Sequence, residues 1–335
     1  MKKYFIGIDV SKEKLDICLN ANNQFVSEIV VNNNTKAIKE VLKSLLEENL
    51  MEVPSILVCA EYTGQYTYPL SCICEELSID LWLENPAQLK YRSGIQRGKN
   101  DKMDARKIAV YAKRYLDDMR LFSLPEKQIS TLKQLISERD LYVVDKAKYQ
   151  SQLTDQKLFM SKEDYKRKSK RLIGLIAELK DAINQIEQEI QTIIDNDDTL
   201  SNQHKLLCSV DGIGERTSIK MIVETNAFHD FKDPRKFCCH AGVAPFEYTS
   251  GSSVHSRNKV SNRADKSIKA LLHMAALSVA TRKSGEMSEY YNRKVAEGKN
   301  KMSVLNAVRA KLVYRMFAVI RNNKIYEKNY INSLV

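Results

Sequence analysis

Four carboxylates in the first third of the chain, Asp9, Glu61, Asp101 and Asp104, are the residues best able to do chemistry. Asp9 stands inside the apolar run YFIGIDV and Glu61 closes the run SILVCA. A charge in such a place is costly unless it is paired or bound to a metal. Asp101 and Asp104 lie three residues apart at the head of a pattern with apolar positions Ile108, Ala109, Tyr111 and Ala112. On a helix the pair projects from one face. Each acid also has an ordinary use: first-turn acids cap backbone N–H groups and complement the dipole, and an acid at a strand end marks where the chain meets solvent. If the first and fourth strands are neighbours and this helix packs across them, all four converge. Four carboxylates around two hydrated Mg²⁺ (or Mn²⁺) ions, roughly 3.5–4 Å apart, can activate a nucleophile and stabilise a leaving oxygen in phosphoryl transfer.

The elements that must position these acids are legible from periodicity. Residues 4–10, 15–20 and 25–31 read as three strands with tight connections, an antiparallel meander. A helix over 35–48, a strand over 55–60, a helix from 64 to about 77, a strand over 79–84 closed by Asn85-Pro86, and the helix of Asp101 follow. That order, βββαβαβα, predicts an α/β domain with a mixed sheet.

From Pro125 to about Asn196 there is no further proline and one glycine. Leu132, Leu135, Ile136, Leu141 and Val144 form one helical stripe, and Leu172, Leu175, Ile176, Leu179, Ile183, Ile186, Ile190 and Ile193 a second. Two long helices joined near Ser161 to Asp164 predict a helical hairpin or coiled coil, whose seam closes internally or against a second copy.

Beyond it, Val210-Asp211-Gly212-Ile213-Gly214 ahead of Ile219, Ile222 and Val223 reads either as a helix-hairpin-helix that approaches phosphate or as an ordinary helix–helix turn. Phe228, Phe231, Phe237, Cys238 and Ala241 suggest a packed helix running into Gly242. A polar Ser/Gly loop from Tyr248 to Ser253 follows, then two helices over about 266–281 and 302–321.

The formal charge is +11 over 335 residues, and it is segregated. From Gly251 onward there are 17 Lys/Arg against 5 Asp/Glu, so the basic excess belongs to the last quarter. A field of one sign on one region attracts a polyanion, nucleic acid above all. Seven cysteines without paired spacing predict reduced core thiols rather than a disulfide framework, and the five histidines lack ligand spacing. No apolar run is long enough to span a membrane and none at the start suits a signal peptide, so a cytoplasmic location and no membrane partner are expected.

Four motifs make a more specific statement. GIDVSK (7–12), Glu61-Tyr62-Thr63-Gly64-Gln65-Tyr66, Asn85-Pro86 and Lys99 to Ala105 (K-x-D-x-x-D-A) occur in this order over about a hundred residues. They resemble the N-terminal domain of the DEDD transposases of bacterial insertion sequences, insertion-sequence family one-hundred-and-ten, related to the Piv DNA invertase. The resemblance implies a ribonuclease H-like, RuvC-like domain over 1–125 in which Asp9, Glu61, Asp101 and Asp104 bind metal. It implies a helical linker over 126–200 and a basic, mainly α transposase domain over 201–335.

In that last domain the family's G-x-x-P…S-G segment, here Gly242 to Pro245 and Ser250-Gly251, carries a serine nucleophile, so Ser250 is implied as catalytic, with Ser252 or Ser253 as fallback and Tyr248 as a conceivable rival. Arg257, Lys259 and Arg263 follow closely enough to hold the attacked phosphate, and Lys269 stands where the family has arginine. Family members commonly have proline where this chain has Asp211, an acid that would oppose phosphate.

The resemblance implies a transposase that excises and inserts its own element by strand exchange. It implies donor and target DNA and a bridge RNA as partners, and a homo-oligomer, dimer or tetramer, is expected. The alternatives are a Piv-like site-specific invertase, a metal-dependent junction nuclease that would not need Ser250, and a non-catalytic nucleic-acid-binding protein.

Overall fold

The computed structural model describes residues 2–92, 100–247, 249–250, 254–255, 259–261 and 264–327, with the backbone alone for 249–250 and 254–255. It divides into two units, Met1–Leu124 and Pro125–Val335.

The first unit is a five-stranded sheet of order β3-β2-β1-β4-β5. β1 (Tyr4–Val10), β2 (Lys14–Ala21) and β3 (Gln24–Asn32) form the antiparallel meander, and β1 then pairs in parallel with β4 (Ile56–Glu61), which pairs in parallel with β5 (Asp80–Glu84). Helices α1 (Thr35–Glu48) and α2 (Tyr68–Glu76) make the crossovers, and a 3-10 turn over Gly64–Thr67 takes the first residues expected of α2. Pro69 suits the first turn of α2, where its missing N–H is no loss.

Strand alternation sorts the side chains. Ile6, Ile8, Val10, Leu15, Ile17, Val58 and Ala60 join the core under α1 and α2. Phe5, Leu57, Cys59 and Trp82 point the other way and meet Ile108, Tyr111 and Ala112 of α4 (Asp101–Arg114), which follows α3 (Pro86–Arg92). Residues 5, 7 and 9 share one face of β1. At Gly7 a Cβ would stand 2.2 Å from the Ala105 carbonyl oxygen and 2.3 Å from the Ala109 nitrogen. Only glycine lets α4 lie this close to the central strand.

The second unit begins with α5 (Lys127–Asp155) and α6 (Lys162–Asp195), a long antiparallel pair capped at Ser161, whose Oγ accepts from the Asp164 N–H. Its basal half is buried: Ile129, Leu132, Leu135, Ile183, Ile186, Ile190 and Ile194. Leu141 and Val144, expected on the same seam, are 57% and 64% exposed, and Leu175 is 43% exposed. The stripe therefore outruns the core available in one chain.

Helices α7 (Asp198–Cys208), α8 (Glu215–Glu224), α9 (Pro234–His240), α10 (Lys266–Ala280), α11 (Glu286–Ala296) and α12 (Lys301–Asn322) enclose the rest of that core. Two differences from the sequence expectation stand out. α11 adds a helix between the two expected ones. Phe228 does not belong to a helix: Asn226, Ala227 and Phe228 all have positive φ, which ends α8 and turns Phe228 onto Phe317, edge to face at 5.1 Å. No helix among the described residues is long and apolar enough to cross a membrane.

Candidate active site

Parallel pairing of β1 with β4 and the passage of α4 over them bring the first-unit acids to one end of the sheet. Asp9 faces Asp16 across the β1–β2 ladder, and Glu61 faces Glu84 across the β4–β5 ladder. Asn100 caps α4 by accepting from the Lys102 N–H, so Asp101 and Asp104 both fall in the first turn. Burial, then the charges of Asp101, Glu61, Asp104 and Asp16, push the Asp9 carboxyl up to about 6. Glu61, Asp101 and Asp104 are thus each within electrostatic reach of Asp9.

Lysines compensate part of this charge. Lys14 Nζ lies 3.0 Å from Asp16 Oδ2 and 2.9 Å from Asp101 Oδ2, and its ammonium pKa is raised by the hydrogen bonds to Asp101 and Asp16. Lys107 Nζ lies 2.7 Å from Asp104 Oδ1. Among the described residues no three His, Cys, Asp or Glu side chains are gathered at metal-ligating spacing. The donor set nevertheless fits hard divalent cations: carboxylate oxygens only, several from different elements, at a place where burial and then like charge raise the Asp9 carboxyl to about 6.

Sequence reasoning missed Asp16, Lys14, Glu84 and Gly7. Asp16 is 4% exposed, the most buried carboxylate here, and its signal was available: in LDICLN it alternates with Cys18 and Asn20 on the face opposite Leu15, Ile17 and Leu19. Glu84 accepts from the Tyr111 hydroxyl at 2.7 Å, and with burial this bond raises the Tyr111 pKa. That contact ties the end of β5 to α4.

In the second unit, Ser250 lies in β7 (Thr249–Ser250), paired with β8 (Val254–His255) so that Ser250 is opposite Val254. β6 (Pro245–Phe246) pairs with β9 (Lys259–Val260), which sets Lys259 opposite Phe246. Lys269 reaches the same segment from α10: its Nζ would be 3.6 Å from a Cβ at Gly242, whose φ of +62° and 2.3 Å approach to the Ala264 Cβ demand glycine. Arg257, Arg263, Ser252, Ser253 and Tyr248, with the Lys99 end of the acidic motif, lie outside the described residues.

The Gly212 turn has φ +85° and packs on α10, where a Cβ would stand 2.3 Å from Val279 Cγ1. Arg282 Nη1 is 3.7 Å from Asp211 Oδ1. The glycine and the acid at this turn thus both have partners within the helical core.

All seven cysteines are free, and three histidines hold structural contacts: His204 Nδ1 lies 2.9 Å from Ser218 Oγ, and Arg309 Nη2 lies 2.6 Å from His273 Nδ1. His240 Nε2 is 3.6 Å from Glu224 Oε2. His240, then Lys220 at 2.8 Å, hold the Glu224 carboxyl down at about 2 against the effect of burial.

Comparison with known proteins gives a consistent result. A family model of DEDD type, described as a transposase, matches residues 6–157, and a model described as the transposase IS116/IS110/IS902 family matches residues 204–292. Pilin gene-inverting proteins of Moraxella bovis and Moraxella lacunata are each 24% identical over 98% of this chain and 99% of their own. An uncharacterised 43.6 kDa protein of insertion element IS110 from Streptomyces coelicolor is 25% identical over 36% of this chain and 30% of its own. Among solved structures, T. thermophilus RuvC in complex with Holliday junction substrate covers 36% of this chain and 99% of its own at 14% identity and TM-score 0.30, a likeness too slight to argue from. Two transposase models met in this order along one chain, the first over the unit that gathers the acids, place the protein in the IS110 family of DEDD transposases, enzymes that cut and rejoin DNA.

Proposed function

We propose that the protein is an insertion-sequence transposase that excises and inserts its element by strand exchange, using the acids of the first unit and Ser250 of the second. The observation that carries the reading is the Asp9 carboxyl pushed up to about 6 by burial and by Asp101, Glu61, Asp104 and Asp16. Burial and neighbouring like charges both penalise an ionised carboxylate, and groups perturbed in this way cluster at functional sites.

Asp9, Glu61, Asp101 and Asp104 would hold Mg²⁺ or Mn²⁺, which when bound supplies charge neutralisation at the attacked phosphate and activates an oxygen nucleophile. The remaining steps belong to the chain. Lys14 and Lys107, paired with Asp101 and Asp104, keep positive charge beside the acids that would hold the cations. Ser250 Oγ attacks phosphorus, forming a serine–DNA phosphodiester and releasing a sugar hydroxyl. A hydroxyl of the second strand then attacks the same phosphorus, joins the strands and returns the serine. Lys259 and Lys269, with Arg257 and Arg263, hold the phosphate in this step. A bridge RNA selects donor and target DNA, and a dimer or tetramer in the cytoplasm supplies the paired sites.

The end-to-end match to pilin gene-inverting proteins favours a second reading, site-specific inversion with the same two centres. The decisive assay supplies donor and target DNA, the noncoding RNA encoded beside the gene and Mg²⁺ to wild type, Ser250→Ala and Asp101→Ala, and inspects denatured products for protein attached to DNA. The reading expects both variants to lose joining, with an adduct only where Ser250 is present. Joining that survives Ser250→Ala and fails in Asp101→Ala leaves a metal nuclease instead. An inverted-repeat substrate that recombines without the RNA selects the inversion reading.

A further inference from the structure

We propose that a groove on the outer face of α4 holds a single strand of DNA next to the acids, a binding site separate from the basic second unit. The groove has a volume of about 350 Å³, and the side chains that line it include Arg92, Arg106, Lys107 and Arg114 with no carboxylate among them. Phe25 and Met103 open onto it 46% and 45% exposed, large apolar groups left uncovered between cations. Val110, 37% exposed, lines the same groove, so the three form one apolar strip, and it is contiguous apolar surface rimmed by polar groups that marks an interaction site.

The chemistry of the lining points to unpaired nucleotides. The Arg92 guanidinium lies 4.6 Å from the centre of the Tyr115 ring and Arg106 lies 5.4 Å from that of Phe25, so two guanidinium–ring platforms flank the groove. Bases stack on such planes only when their faces are free, which a duplex does not allow, while cations between the platforms track the phosphates. Arg92 donates to Asp118 at 2.6 Å and Arg106 pairs with Glu28. A guanidinium has five N–H donors, so each ion pair fixes the side chain and leaves donors for a phosphate oxygen. The pairing carboxylates therefore orient the cations without lining the groove.

The groove also has a direction. Lys107 lines it and reaches Asp104 at 2.7 Å, so one end opens at the carboxylates where the proposed function cuts DNA. The inference rests on that reading for its choice of DNA over RNA: the strand in the groove is continuous with the strand being cut.

The test uses the full chain and a 20-nucleotide strand carrying 5-iododeoxyuridine, with the matching RNA and duplex in parallel, all without metal. Photocrosslinks from the DNA strand are expected on Phe25 and Tyr115. Anisotropy at several salt concentrations then compares wild type with Phe25→Leu/Arg114→Gln, both surface changes. We expect roughly tenfold weaker binding of the DNA strand from the lost platform, and a salt slope reduced by about 0.7 for the lost cation. Crosslinks absent from both rings, or an unchanged affinity and slope, overturn the groove. Crosslinks from RNA with none from DNA overturn the choice of strand. A chain that crosslinks here from DNA but never joins DNA keeps the groove and fails the functional reading, and one that joins DNA without these crosslinks does the reverse.

Discussion

Asp9 and Ser250 are supported by very different amounts of structure. Asp9 sits on a strand of seven residues, paired along one side with β2 and along the other with β4, with α4 laid against its face through Gly7. Among the described residues Ser250 sits on a two-residue strand paired with the two-residue β8. A seven-pair ladder holds Asp9 opposite Asp16, and the parallel ladder to β4 runs up to the neighbouring Ile8, whereas a two-residue ladder contributes fewer backbone bonds. The acids sit half-buried at the end of the sheet, beside the core that α4 covers, so a change there acts through packing as well as through charge. The serine segment is flanked by Gly242, Pro245 and Lys259, and in the proposed function a change at Ser250 acts through chemistry.

The strongest way to break that contrast is at Gly7. Gly7→Ala drives a methyl into the backbone of α4 and should cost about 3 kcal/mol or more while displacing Asp101 and Asp104. Urea melts and strand joining report both effects, and a wild-type melt would show that α4 does not lie as close as described. Asp9→Asn tests the opposite claim for the same strand. It should lower joining by about a thousandfold or more yet melt at or above the wild-type temperature at pH 7.5, because one member of a repelling cluster is gone.

Ser250→Ala should cost a similar factor in joining, abolish the covalent adduct and leave the melting temperature unchanged. A destabilised variant would mean that Ser250 packs as firmly as Asp9 and would erase the comparison.

Smaller effects sharpen it. Glu224→Gln should destabilise the second unit by about 1–2 kcal/mol at pH 7. The folded carboxyl, held down at about 2, titrates below its unfolded value of about 4.5, so its contribution is complete above pH 4.5 and fades as pH falls toward 2. Denaturant melts of wild type and variant should therefore converge across that window. Lys14→Met is the mildest: it removes the ammonium shared by Asp16 and Asp101, so divalent cations should bind more tightly by calorimetry while the apo protein melts slightly lower.

Much of the first unit was legible because its signals are local. Alternation in YFIGIDV, LDICLN and IDLWLE set the strands, and Asn85-Pro86 and Asp101 at the head of its apolar pattern marked boundaries that the structure keeps within a residue or two. The hairpin helices were equally plain. How far their seam is buried was not, since Leu141 and Val144 continue the apolar pattern past the point where this chain has anything to cover them. The Phe228 turn was hidden for a related reason: three successive positive φ angles are held by packing on Phe317, with no glycine to announce them.

By itself the sequence singled out the residues proposed to carry chemistry: Asp9, Glu61, Asp101 and Asp104 by their place in apolar runs or at a helix start, and Ser250 by its place in a family motif. Tertiary structure alone decided what stands beside them. Asp16 and Lys14 become part of the acid cluster only because β2 returns antiparallel to β1, and α4 reaches Asp9 only because Gly7, Ala105 and Ala109 are small at one crossing. Those are contacts between residues far apart in the chain, and periodicity, which reports each segment's own face, has no term for what that face will meet.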